Sequence, residues 1–251
     1  MDKKNKLFLI LGFFFVTNAI IAEFIGVKIF SLEESLGFSP VNWHFFGADR
    51  SFTLTSGVIL WPIVFIMTDL INEYYGKKGV QKLSYLTVIM LVYAFAMAFL
   101  AMKSTPATWW VTSQAGKGVA DYGKAFNSVF GQGLSIILGS LVAFLIGQLI
   151  DAFIFTKLKK KTGHNLVWVR ATGSTLVSQL IDSFVVLYVA FYIGGNWTME
   201  QIIGVGIMNY IYKVAMAFVL IPLLYFVHNI IDKYLGKELS KEMIGGAMED
   251  A

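Results

Sequence analysis

The chain has 251 residues, 57% hydrophobic and 14% charged, with a formal net charge of +4 and a mean hydropathy of +0.67. A soluble domain cannot hide that much apolar surface, whereas lipid faces it directly, so a soluble globular class is excluded. Cysteine is absent, which removes disulfide frameworks, thiolate metal sites and cysteine nucleophiles.

Six apolar stretches follow one another at roughly 7–30, 52–72, 83–101, 133–155, 171–193 and 202–228. Each is close to or beyond the ~20 residues that carry a helix across about 30 Å of hydrocarbon. Spanning segments satisfy their own backbone hydrogen bonds, so these stretches are read as helices. The expected fold is all-α: a polytopic membrane protein, a single bundle of six transmembrane helices over residues 1–235. A polar, loosely ordered cytoplasmic tail over 236–251 follows.

The first stretch comes after a basic start, as in a signal peptide. It is longer than a signal core, carries Asn18, Glu23 and Lys28, and lacks a small-residue cleavage site, so it is read as an uncleaved helix. Pro62 and Pro222 fall within the second and sixth stretches and are expected to kink them. The longest loop, 103–132, holds Trp109 and Trp110, an aromatic anchor for the headgroup zone.

Charge placement sets the expected orientation. Fourteen Lys and Arg residues lie in the termini and alternate loops, at 3–6, 77–82, 157–170 and 233–241. The other loops hold four: Arg50, Lys103, Lys117 and Lys124. The positive-inside rule then makes both termini cytoplasmic and explains the basic balance without nucleic acid.

Charges inside spans are the informative residues, because each costs about 2.5–3.5 kcal/mol near the midplane and so has a partner or a task. Asp69, Glu73 and Asp151 are such residues, and Asp182 and Lys213 are the deepest. Each of those two lies 11 residues into its span, about 16 Å deep at 1.5 Å per residue. Antiparallel neighbours can pair them, either as a structural bridge or as part of a substrate or proton site. Gln148-Leu149-Ile150-Asp151 recurs as Gln179-Leu180-Ile181-Asp182, thirty-one residues later. The three-residue spacing puts each Gln and Asp on one helix face. An amide beside a carboxylate suits a planar heterocycle with adjacent N–H donors and a carbonyl, or it joins helices by hydrogen bonds.

Thr68-Asp69-Leu70-Ile71-Asn72-Glu73-Tyr74-Tyr75-Gly76 resembles the D-x-x-x-E-x-[YF]-G signature of the queuosine precursor transporter family, also called the vitamin uptake transporter family. Gln148–Asp151, Trp168-Val169-Arg170, Ser174–Leu176 and Ser178–Asp182 are similar to that family's most distinctive block, and Phe126–Gly131 and Lys213 fit its pattern. The first helix departs from it at Glu23. The resemblance implies import into the cytoplasm, across the inner membrane, of a 7-deazaguanine such as preQ0 or preQ1. Asn18, Asp69, Glu73, Gln148, Asp151, Gln179, Asp182 and Lys213 are the implied substrate-binding residues, with Trp61, Phe184 or Tyr210 stacking on the base. Buried carboxylates suit proton coupling, no cofactor is implied, and a homodimer fits a bundle this small.

Two other classes stand beside a transporter. A substrate-binding membrane subunit of a vitamin-type uptake system would need a separate energising complex; the chain itself has no Walker motif. An enzyme is disfavoured, because His44, His164 and His228 lie outside the helix centres and no nucleophile–base or metal-ligand spacing emerges.

Overall fold

A computed structural model of the chain describes residues 2–131, 133–162 and 166–249; His164 and the last two tail residues lie outside them. Helix α1, Lys3–Ile25, starts at Asp2, whose carboxylate caps the Asn5 amide at 2.8 Å. The connection that follows holds β1 (Ile29–Ser31), α2 (Leu32–Ser35), β2 (Trp43–Phe45), β3 (Ala48–Arg50) and β4 (Thr53–Thr55). Strand β1 pairs with β4 and β2 with β3, both antiparallel. Glu33 ties this connection together by accepting the Phe52 amide at 2.8 Å and the Val41 amide at 3.5 Å. Burial acts to raise its pKa, but these amide donors outweigh it and hold the carboxyl below its ordinary value.

Helix α3 runs over Trp61–Lys103 and is broken in its middle at Gly76, with φ 67 and ψ −176. Helix α1 touches both of its arms. Phe8 packs its ring on Tyr75 at 4.9 Å, while Phe24 stacks on Phe95 at 5.4 Å. Gly57, just ahead of the first arm, lies against the Ala22 carbonyl, and Gly12 lies against Leu83 of the second. Along α1 the first arm therefore runs antiparallel and the second parallel.

Short helices α4 (Thr108–Val111) and α5 (Tyr122–Phe130) lead to α6 (Leu134–Thr162) and α7 (Val167–Leu187). A wide π turn, Tyr188–Ile193, extends α7. Then come α8 (Met199–Val219), α9 (Ile221–Leu235) and α10 (Lys237–Glu249). Among the described residues five stretches are long and apolar enough to cross a membrane: Lys3–Ile25, Trp61–Lys103, Tyr122–Thr162, Val167–Ile193 and Met199–Val219. The protein is thus all-α in its spanning part and polytopic. Its exposed apolar side chains, such as Phe13, Ile89, Tyr93 and Phe99, are the ones that face lipid.

Three expectations change. Pro62 does not kink a span, because it sits in the first turn of α3, where a missing N–H costs no intrahelical bond; Pro222 does interrupt the sixth stretch, as expected, from the first turn of α9. The sixth apolar stretch is divided at Leu220 into α8 and α9. The tail is not loose, because Met243, Ile244 and Ala247 share one buried face of α10. That face packs on the cluster of Leu70, Tyr74, Phe155 and Ile231. Ser240 also donates to Asp232 at 2.6 Å.

The Gly76 backbone lies where essentially only glycine is found, and a Cβ there would meet the Ala247 carbonyl at 3.2 Å. Gly76→Ala is expected to cost about 1–3 kcal/mol, measured as a lower unfolding temperature of the detergent-purified protein. Glu33 makes an independent prediction. Its depressed pKa adds stability above the ordinary carboxylate range, lost as pH falls through the folded value. Protease sensitivity of the α1–α3 connection should rise on acidification in wild type, and already at neutral pH in Glu33→Gln.

Candidate functional site

Helices α3, α7, α8 and α9 line a narrow, partly open cleft of about 40 Å³, smaller than a preformed small-molecule site, so a base-sized solute enters only as the cleft widens. Its walls are mostly apolar: Trp61, Phe65 and Ile66 from α3, Ala171 from α7, Tyr212 from α8 and Leu224 from α9. The polar groups are few and come from three helices. They are Asp69 on α3, Thr172, Thr175 and Gln179 on α7, and Lys213 on α8. The α7 residues at 172, 175 and 179 recur at helical spacing, so one face of that helix carries all three.

Asp69 and Gln179 are the unusual members. They are only 4% and 2% exposed, yet Asp69 Oδ1 and both Gln179 amide atoms have no hydrogen-bond partner among the described residues. A buried polar group without a partner costs roughly 1–3 kcal/mol, so its persistence calls for an explanation in function. Here three unpaired atoms belong to residues that line one cleft, and together they offer a carboxylate acceptor, an amide donor and an amide acceptor.

Lys213 Nζ meets Asp182 Oδ2 at 2.5 Å, so the pairing expected between the two deepest charges is present. Lys213 lines the cleft and Asp182 stands behind it. The two copies of the Gln–Asp pattern diverge. Gln179 borders the cleft, whereas Gln148 accepts from Thr68 at 2.7 Å and Asp151 accepts from Ser178 at 3.0 Å, outside the lining. Asn18 donates to the Phe14 carbonyl of its own helix at 2.8 Å and is also outside it. Of the aromatic candidates Trp61 lines the cleft. Phe184 instead packs on Gly206, and Tyr210 donates to the Leu176 carbonyl at 3.1 Å.

Glu73 is engaged elsewhere. Its Oε1 receives Arg170 Nη2 at 2.6 Å and its Oε2 receives Arg170 Nε at 3.0 Å, a two-pronged pair between fully buried side chains. Lys159 Nζ lies 3.5 Å from Glu73 Oε2 and donates to the Glu73 backbone carbonyl. Counting Arg170 and Lys159 as loop cations concealed both partners. Thr172, Thr175 and Tyr212 were missed too, although the spacing of the two threonines from Gln179 was visible.

Apolar spans around a buried polar cleft define a multi-pass membrane protein that receives a small solute. A profile of the putative vitamin uptake transporter family matches residues 55–244, about three quarters of the chain. The chain belongs to that family of inner-membrane transporters, and is not an enzyme. It is 28% identical over 177 residues to a probable queuosine precursor transporter of Bacillus subtilis, covering 69% of this chain and 71% of that one. To the probable queuosine precursor transporter of Haemophilus influenzae it is 26% identical, covering 68% and 67%. To the queuosine precursor transporter of Escherichia coli it is 22% identical, covering 67% and 69%. No solved structure matches the chain.

Removing one partner of a buried ion pair leaves an uncompensated charge, at a cost of about 3–5 kcal/mol. Glu73→Gln should therefore act chiefly on folding, lowering membrane abundance and the unfolding temperature. A Glu73→Gln protein of normal stability with selectively lost substrate affinity would contradict that assignment.

Proposed function

We propose that the chain imports a 7-deazaguanine precursor of queuosine, such as preQ0 or preQ1, into the cytoplasm, with proton entry driving uptake. The observation that carries the choice of site is the unpaired Asp69 Oδ1 and Gln179 amide among the residues that line one cleft. A guanine-like edge presents adjacent N–H donors and a carbonyl. The Asp69 carboxylate accepts from the donors, and the Gln179 amide pairs with the carbonyl and a remaining N–H. Trp61, Phe65 and Tyr212 supply flat apolar surface for the ring. The relatives are named for this class of substrate.

The topology proposed is six crossings. The break at Gly76 makes α3 a hairpin of two crossings, which is supported by the opposite senses in which its arms run along α1. Both termini and the basic loops lie on the cytoplasmic side, where the positive-inside rule puts them, and α10 belongs to that side. Lys213, paired with Asp182, lines the same cleft as Asp69.

The test uses cells that lack their own transporter and precursor synthesis, fed nanomolar preQ0 or preQ1, with tRNA queuosine as the readout. Wild type restores queuosine. Asp69→Asn raises the KM of uptake ~10- to 100-fold, as expected for a lost hydrogen bond to a charged group worth about 1.5–3 kcal/mol. Asp182→Asn at normal membrane abundance also lowers uptake, by leaving Lys213 unpaired. No restoration by well-expressed wild type would return the substrate to unknown.

A further inference from the structure

Behind the cleft, Asp69 faces a second carboxylate. Thr68 bonds to Gln148 and Asn72 donates to the Ala152 carbonyl at 3.1 Å, so the α3 and α6 registers bring Asp69 and Asp151 side by side. They repel one another, and Ser174 interacts with both. Asp151 is fully buried, and its Oδ2, like Asp69 Oδ1, lacks a hydrogen-bond partner among the described residues. The amide nitrogen of Gln148 is buried and unpartnered as well.

Charge balance decides what this arrangement holds. Around it stand two cations, Arg170 from α7 and Lys159 from α6, and three carboxylates, Glu73, Asp69 and Asp151. Lys213 and Asp182 neutralise each other. On α1, Glu23 receives Ser140; on α9, Asp232 receives Tyr74 and faces His228. Three ionised carboxylates against two cations leave an unbalanced charge in a low-dielectric space, and two neighbouring carboxylates relieve it by sharing a proton.

We propose that Asp69 and Asp151 share one proton, and that this proton accompanies the substrate. The proposal rests on the uptake reading above and deepens it. With substrate in the cleft, the proton resides on Asp151, which lies outside the lining, and Asp69 is ionised to accept the donor edge. When both carboxylates are ionised, repulsion and the missing counter-charge oppose binding. Proton and substrate thus load together, and Asp151 is the positioning residue that keeps Asp69 available as an acceptor.

The test is binding of preQ0, whose nitrile carries no titratable amine, to the purified full chain by calorimetry from about pH 5 to about pH 9. Affinity is expected to hold on the acidic side and then fall about tenfold per pH unit, the slope of one linked proton. Asp151→Asn, whose amide imitates the protonated acid, should flatten that slope. Wild-type binding that is flat with pH, or an Asp151→Asn protein with the wild-type slope, overturns the proposal. So does an affinity that follows sodium at fixed pH when choline replaces it, which would put a metal cation between the carboxylates. The wild-type profile decides the matter even where the variant does not fold. Absence of preQ0 binding at every pH fells the uptake reading and this proposal together, whereas binding without a proton slope fells only the second.

Discussion

Glu73 and Arg170, ninety-seven residues apart, join α3 to α7 by two hydrogen bonds in a space where neither side chain is more than 1% exposed. Other features of this region take their positions from that pair. It draws Lys159 of α6 to the same carboxylate, so three helices meet at one anion. It also fixes the register of α3 against α7, which sets Asp69, one helical turn from Glu73, opposite Gln179 on the cleft wall. A buried ion pair is weak evidence for net stability, since desolvation offsets much of the attraction. Its contribution here is alignment: a slip of one residue along α3 would face Arg170 with Asn72 or Tyr74, neither of which carries the balancing charge.

This division of labour separates carboxylates that look alike in sequence. Glu73 is saturated by cations and serves the architecture. Asp182 is balanced by a single lysine that also lines the cleft. Asp69 and Asp151 have hydroxyl and amide neighbours and no cation in direct contact among the described residues. Each arrangement implies a different response to a neighbouring ligand. A saturated carboxylate has little left to offer, whereas an unsaturated one gains a hydrogen bond for every donor that arrives.

The apolar stretches were readable because lipid imposes a simple length requirement, and the helices α1, α6 and α7 follow them closely. The pairing of Asp182 with Lys213 was readable for the same reason, since depth follows from residue count. What escaped was anything set by packing between distant segments. Arg170 reads as a loop cation by its neighbours in sequence, and only the fold of α3 onto α7 buries it against Glu73. The repeated Gln–Asp pattern suggested two equivalent contacts with one ligand. Antiparallel α6 and α7 instead turn one copy to the cleft and the other toward Thr68 and Ser178. Pro62 reads as a kink within a span, but α3 begins only at Trp61 and the proline falls in its first turn.

The docked tail bears on how such a site opens. Helix α10 lies over the Gly76 break, with Ala247 against it, and its Ser240 shares Asp232 with Tyr74. Tyr74 follows Glu73 directly, so the tail, the break in α3 and the Glu73–Arg170 pair form one connected block at the basic end. The cleft lies on the other side of that block, between Trp61 and Leu224. Helix α9 belongs to that block through Asp232, whereas α8 joins α9 at Leu220, a cleft-lining residue with a break in the helix at its position. Motion of α8 about Leu220 would change access to Asp69 and Gln179 while leaving the buried charges at the basic end undisturbed. A cleft with α3 and α9 held at the basic end and α8 joined to them through a break has one wall able to move against the others.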